Sequence, residues 1–162
     1  MPDQSALLMP LATALVAFGL LWPLSVVRRD ASLVDFLWAP GFLLQIAVAY
    51  GVAGEVSERG WLLAALVGVW SVRLGTVMIA RRLREGHEDP RYTALRAAWE
   101  PNFWWKSLFL VFVMQAIVQW VIALGPITGG LAADGAIGGL AAIGALVAIV
   151  GIGIETVADA QL

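Results

Sequence analysis

The sequence predicts an all-α fold: a polytopic transmembrane bundle of about five spanning helices, read as one domain over residues 1–162. Three observations predict it. Hydrophobic residues make up 60% of the chain and charged ones 14%, against roughly 45–50% and 25% in soluble domains; mean hydropathy is +0.84. Charges are bunched: Gln4–Val27, Phe36–Gly54, Ser107–Ala133 and Gly135–Ile154 carry none, and Gly60–Ala80 carries only Arg73. Each window is close to or beyond the roughly 20 apolar residues that cross hydrocarbon. Finally, Lys and Arg alternate between loops, as topology requires. Zero cysteines exclude a disulfide scaffold, and a net charge of −2 with no basic face argues against nucleic acid.

The elements follow in order. The first helix is expected over residues 6–27; its acidic start (Asp3), long apolar run and following Arg28-Arg29 read as a retained span rather than a signal peptide. Helices over 34–54 and 61–80 follow, joined by turn-like segments edged with Gly. A long cytoplasmic loop, 81–106, holds ten charges. Within it Pro90–Trp105 is expected on the membrane surface, with Trp99, Phe103 and Trp104 dipping into lipid. Spans over 107–124 and 136–154 complete the set. The runs are continuously apolar, so the alternation of barrel strands is missing.

Eight Lys and Arg residues lie in the first and third loops (Arg28, Arg29, Arg81, Arg82, Arg84, Arg91, Arg96, Lys106) and one, Arg59, in the second. The first and third loops are therefore expected in the cytoplasm, with the N-terminus out and the C-terminus in.

Ionisable groups in or beside a span are costly and tend to face a bundle interior or cavity. Asp35, in Ser32-Leu-Val-Asp-Phe-Leu-Trp38, shares a helical face with Trp38, Phe42 and Gln45. Either Ser32 and Asp35 cap the helix, or Asp35 is a carboxylate positioning a substrate or cofactor amide. Arg73, on a face with Trp70, Val77 and Arg81, needs a buried partner or a bound anion, and Asp35 is the candidate partner. The arginines of the third loop are solvated positive-inside charge, or meet anionic headgroups or nucleotide phosphates. Glu155 and Asp159, one turn apart, repel mildly, which points to a shared ligand. One His and no Cys leave no metal cluster, and no phosphate-binding glycine motif occurs.

The ordered motifs Ser32-Leu-Val-Asp35-x-x-Trp38, Trp70-x-x-Arg73-Leu74, Arg81/Arg82, Glu88-Asp89-x-Arg91-Tyr92, Trp99 and Glu155-x-x-x-Asp159-Ala-Gln161-Leu162 resemble the DUF1295 family, bacterial membrane proteins related to the steroid 5-alpha-reductases. The resemblance covers nearly the whole chain. It implies a helical enzyme of the bacterial inner membrane that reduces a conjugated C=C bond in a lipophilic substrate. NADPH would enter from the cytoplasm and the substrate from membrane lipid.

By resemblance, Asp159 and Glu155 would hold the cofactor, with Arg73, Arg82 and Arg91 as phosphate or nicotinamide partners. Asp35 and Trp70 are the candidates for contact with the reacting carbonyl. Trp70 stands where the reductases carry a Tyr, so it can donate a hydrogen bond but supplies no phenolic proton. The relatives' later nucleotide-binding stretch, of Tyr-Ser-Arg-His-Pro-Asn-Tyr type, has no counterpart here. The chain is therefore expected to be truncated at the C-terminus and inactive alone. Two other readings stay open: a methyltransferase similar to the isoprenylcysteine carboxyl methyltransferases, using S-adenosylmethionine, or a non-enzymatic membrane scaffold or lipid-binding protein.

Overall fold

A computed structural model describes residues 3–132 and 135–161; Leu162 of the last motif lies outside the described residues. The described chain is helical, with no strand among these residues. Helices α1 (Gln4–Arg28), α2 (Trp38–Ala53), α3 (Glu58–Glu85), α4 (Pro90–Trp99), α5 (Phe103–Ser107), α6 (Met114–Gly130) and α7 (Gly139–Asp159) follow in order. A 3-10 segment, Ala31–Leu37, leads into α2, and a π-helical segment, Leu108–Val113, joins α5 to α6. Five stretches are long and apolar enough to cross a membrane: Gln4–Arg28, Ala31–Ala53, Glu58–Glu85, Phe103–Gly130 and Gly139–Asp159. This is an integral membrane protein. In this up-and-down arrangement Arg28, Asp30, Glu85 and Phe103 fall at one end of the bundle, called here the charged end.

Local chemistry explains the boundaries. The Asp3 side chain accepts from Ser5 N at the start of α1. Arg29 stops that helix in the left-handed conformation, φ 52°, and its N–H donates to Ser25 O. Ser57 caps α3 through Gly60 N, and Gly86 ends it at φ 70°, where a side chain would be strained. Asp89 caps α4, with Pro90 at the first helical position. Pro10, Pro23 and Pro126 sit inside helices, which membrane bundles tolerate because neighbours satisfy the freed carbonyls. Near Pro126 a side chain adds a bond between helices: the Tyr50 hydroxyl donates to Pro126 O at 3.0 Å.

Three local expectations are corrected. The cap before α2 is Asp30, not Ser32 or Asp35: its carboxylate accepts from Ser32 N at 3.1 Å and from the Ser32 hydroxyl. The 81–106 segment is largely helical, because α3 continues past Ala80 to Glu85 and α4 follows. Phe103 does not dip into lipid. It is 2% exposed, in a core with Phe18, Val34, Tyr92 and Phe112, and the Arg96 guanidinium lies over its ring at 4.6 Å. Trp104 is exposed as expected.

A second core, built from Phe42, Ile46, Ala49, Tyr50, Ala123 and Ile127, fills the opposite end. There Gly60 of α3 and Gly130 of α6 meet so closely that a Cβ on Gly60 would stand 3.0 Å from Gly130 Cα. Small residues let helix backbones approach where hydrocarbon offers no hydrophobic drive. Helix α7 packs on α3 and contributes no buried residue.

Candidate functional site

Two groups of polar residues stand apart on α3. The first closes the charged end. Arg82 of α3 pairs with Asp30, and Glu88 accepts from Ala31 N at 2.7 Å. Glu88 also takes a two-pronged bond from Arg96, Nη2 at 2.7 Å and Nε at 3.1 Å. Asp89 N donates to the Ser32 hydroxyl at 3.1 Å. Together these bonds fix the 86–96 segment over the 3-10 turn.

Asp35 lies inside this network. The Tyr92 hydroxyl donates to its Oδ1 at 3.0 Å, and Arg91 Nη2 stands 3.5 Å from Oδ2. Arg91 also grips Asp89 with Nε at 2.9 Å and Nη2 at 3.0 Å. That bond holds the Asp89 carboxyl below the usual carboxylate range. Burial, then the nearby Asp35 charge and hydrogen bond, pushes the Tyr92 hydroxyl above its ordinary value. Hydrogen bonding to Glu88 likewise raises Arg96.

The second group lies deeper in the apolar zone. Arg73 is 12% exposed at its side chain; Nη1 bonds Glu155 at 2.9 Å and Nη2 bonds Asp159. Seven residues separate Arg73 from Ala80, about 10 Å along the helix. Its carboxylate partners are thus Glu155 and Asp159, and the expected partner, Asp35, is bound instead by Arg91 and Tyr92. Helical spacing places a residue on a face but does not say which neighbour that face meets; α7, not α2, supplies the carboxylates. The same bonds give Glu155 and Asp159 a structural reason for their spacing, since one guanidinium bridges the turn between them.

A groove of about 580 Å³ runs beside this pair, between α3, α6 and α7. Leu63, Val67 and Trp70 line one wall, Pro126 another, and Ile152 and Glu155 the third. Glu155 is the one charged residue among its lining. Trp70 packs edge-on against Phe42, 5.4 Å between centroids, and Phe42 against Trp38. Ligand sites are commonly apolar clefts of roughly 300–1,000 Å³ with few polar groups, and this groove has that form.

The structure thus brings Trp70, Arg73, Glu155 and Asp159 to one place, and Asp35, Arg82 and Arg91 to another. Tyr92 and Glu88 stand in one sequence motif that marks no role for either; the Glu88 carboxylate joins α4 to the 3-10 turn. An aromatic hydroxyl within a run of charged residues, facing a span that opens on an acid, was the available signal for Tyr92.

The three arginines expected to face nucleotide phosphates are already committed to carboxylates: Arg73 to Glu155 and Asp159, Arg82 to Asp30, Arg91 to Asp89 and Asp35. The cleft bounded by Asp35, Arg81, Arg82 and Arg91 measures about 80 Å³, well below what even a drug-sized ligand occupies. That cleft, as arranged, is too small for NADPH.

The chain matches no protein of curated function and no solved structure. A family model does match it, over residues 21–162, with the description "Protein of unknown function (DUF1295)". That match spans both residue groups and every helix from α2 on, with the last third of α1, so the chain belongs to the DUF1295 family.

Proposed function

We propose that the protein is a reductase of the bacterial inner membrane that acts on a conjugated C=C bond in a lipophilic substrate taken from the bilayer. The observation that carries this reading is the α3–α6–α7 groove: apolar along its length, ligand-sized, and bearing one carboxylate beside Trp70. The charged end faces the cytoplasm, following the distribution of Lys and Arg. NADPH is the reductant that the family resemblance implies. The three arginines that the resemblance assigns to it are paired with carboxylates, so the part read from this chain is the handling of substrate.

The hydrocarbon body of the substrate lies against Leu63, Leu66, Val67 and Ile152, replacing lipid. Its carbonyl stops at the Trp70 end, where the indole N–H is a donor only. Glu155 is kept from that carbonyl by its bond to Arg73, which holds the carboxylate against α3. Apolar walls exclude water there, so one donated hydrogen bond polarises the carbonyl more than it would in solvent.

The test is enone-dependent NADPH oxidation in membranes carrying the protein, using a long-chain α,β-unsaturated ketone. Trp70→Phe keeps the aromatic contact and removes the donor; it lowers kcat/KM about tenfold. Gly151→Leu fills the groove, and a Cβ at Gly151 meets nothing within 4 Å, so the fold survives; KM rises. Oxidation unaffected by either variant overturns the reading. Methyl transfer from S-adenosylmethionine in place of oxidation makes the protein a methyltransferase, and turnover of neither leaves a scaffold.

A further inference from the structure

The charged end holds a recess of about 430 Å³ between the end of α1 and the corner where α4 meets α5. Ser25, Arg29, Arg96, Glu100, Trp104 and Ser107 are among its lining. Several of its polar groups are already bonded. The Ser25 hydroxyl donates to Trp22 O at 2.7 Å, and that of Ser107 to Trp104 O at 3.0 Å. Arg96 gives Nε and Nη2 to Glu88 and keeps Nη1. Arg29 and Glu100 are different. Both are exposed, and neither side chain forms an ion pair or hydrogen bond among the described residues, with the other or with a third. The Glu100 charge is felt at Arg96 without a bond between them.

The backbone keeps these two charges in place. Arg29 closes α1, its N–H donating to Val26 O at 3.2 Å, and Glu100 closes α4, its N–H donating to Arg96 O at 3.0 Å. One free cation and one free anion that share a ligand-sized recess, yet do not pair, complement a molecule carrying the opposite two charges. The surroundings say what else that molecule carries. Trp104, in the lining, is 56% exposed, and the Trp22 indole donates to its carbonyl at 3.1 Å. Next to it the Lys106 ammonium lies over the Trp99 ring at 4.5 Å. Indoles with basic neighbours at the end of a span mark the depth of lipid headgroups. A molecule seated at Arg29 therefore has water on one side and, past Trp104, hydrocarbon on the other.

We propose that this recess binds the headgroup of an aminophospholipid, its phosphate on Arg29 and Arg96 Nη1 and its primary ammonium on Glu100. Guanidinium groups suit phosphate oxygens through charge-assisted bonds. The carboxylate selects among headgroups: phosphoglycerol brings no cation and sets a phosphate near an uncompensated Glu100, and choline has no N–H to donate. The recess shares no lining residue with the α3–α6–α7 groove, so the two readings fail separately.

The experiment uses the full chain in phosphatidylcholine nanodiscs and phospholipid probes with a diazirine near the top of one acyl chain, followed by peptide mapping. The ethanolamine probe labels residues 22–29 and 101–107 about tenfold more than the glycerol or choline probe. Glu100→Gln removes that preference. Arg29→Asn, a residue at ease at positive φ, lowers labelling by all three probes. Both side chains are exposed and unpaired, so both variants keep the fold. Arg84→Gln, which removes an exposed arginine at the same end but outside the lining, changes nothing. Equal labelling by the three probes in the parent, an ethanolamine preference that survives Glu100→Gln, or equal losses in Arg84→Gln and Arg29→Asn overturns the proposal. Soluble glycerophosphoethanolamine separates a free source from a lipid one: removal of the label at micromolar levels overturns the lipid as ligand.

Discussion

Arg73 of α3 and Asp159 of α7 form an ion pair within the apolar part of the bundle, and Glu155, one turn away, shares the same guanidinium. Because α7 has no buried residue of its own, this bond does for α7 what a packed core does for the other spans. It fixes the depth and rotation of α7 against α3, and with them the third wall of the groove.

Arg73→Met leaves two carboxylates without a counter-charge. Removing one partner of a buried pair costs roughly 3–5 kcal/mol, and the lower end applies because Glu155 is 50% exposed. The triple variant with Glu155→Gln and Asp159→Asn recovers most of that loss, since no charge is stranded. Thermal unfolding in nanodiscs measures both; equal losses in the single and triple variants would contradict the pairing.

Five spans and their number were legible from the charge-free windows, because a run of Ile, Leu, Val and Ala in hydrocarbon has little choice but a helix. The ends were less so. Gly125 and Pro126 read as a turn, yet α6 passes through both to Gly130, since a proline removes a single backbone bond and hydrocarbon offers no water to compete for the others. Of the two residue groups, sequence named Asp35, Trp70, Arg73, Glu155 and Asp159 as individuals. It paired Arg73 with Asp35 because both approach the charged end. Which helices are neighbours is a matter of packing, which periodicity along one helix does not carry. Gln119 was invisible for the same reason: its amide donates to the Leu37 and Trp38 carbonyls, in another span.

Tyr92 predicts an alkaline transition. Its hydroxyl is raised above the ordinary value of 10.0 by burial and by Asp35. A group whose folded pKa is raised contributes stability that is complete below the unfolded pKa and lost as pH climbs toward the folded one. The protection factor of the α4 amides, exchange corrected for its intrinsic base catalysis, is therefore flat from neutral pH to about 10 and falls above it. Tyr92→Phe removes that dependence and costs about 1–3 kcal/mol through the lost bond to Asp35. A profile identical to the parent's would separate Tyr92 from the effect.

Asp89 predicts the opposite limb. Its folded pKa lies below the ordinary aspartate value of 3.8 through the Arg91 bond, so its contribution is present above that value and fades as pH falls through the lower, folded one. Proteolysis of the 86–96 segment rises in that acid window. Asp89→Asn, already uncharged, shows the increase at neutral pH.

Gly41 and Gly68, both in spans, separate close approach from composition. A Cβ at Gly41 meets the Gln119 amide, whereas at Gly68 it stands 3.8 Å from Leu43 Cδ1. Gly41→Ala costs about 1–3 kcal/mol, and Gly68→Ala is neutral or slightly stabilising. Thermal unfolding of the two variants side by side reads the difference; similar midpoints would mean that the bond from Gln45 Nε2 to Gln119 Oε1, 2.7 Å, carries little.

The central claim is that the α3–α6–α7 groove takes a lipophilic carbonyl compound. Photolabelling with a diazirine-tagged long-chain enone, followed by peptide mapping, tests it most directly. Label is expected on Leu63–Trp70 and Ala148–Glu155, displaced by untagged enone and lost in Gly151→Leu. Label spread evenly over lipid-facing residues such as Leu20 and Val121, or untouched by Gly151→Leu, would contradict it.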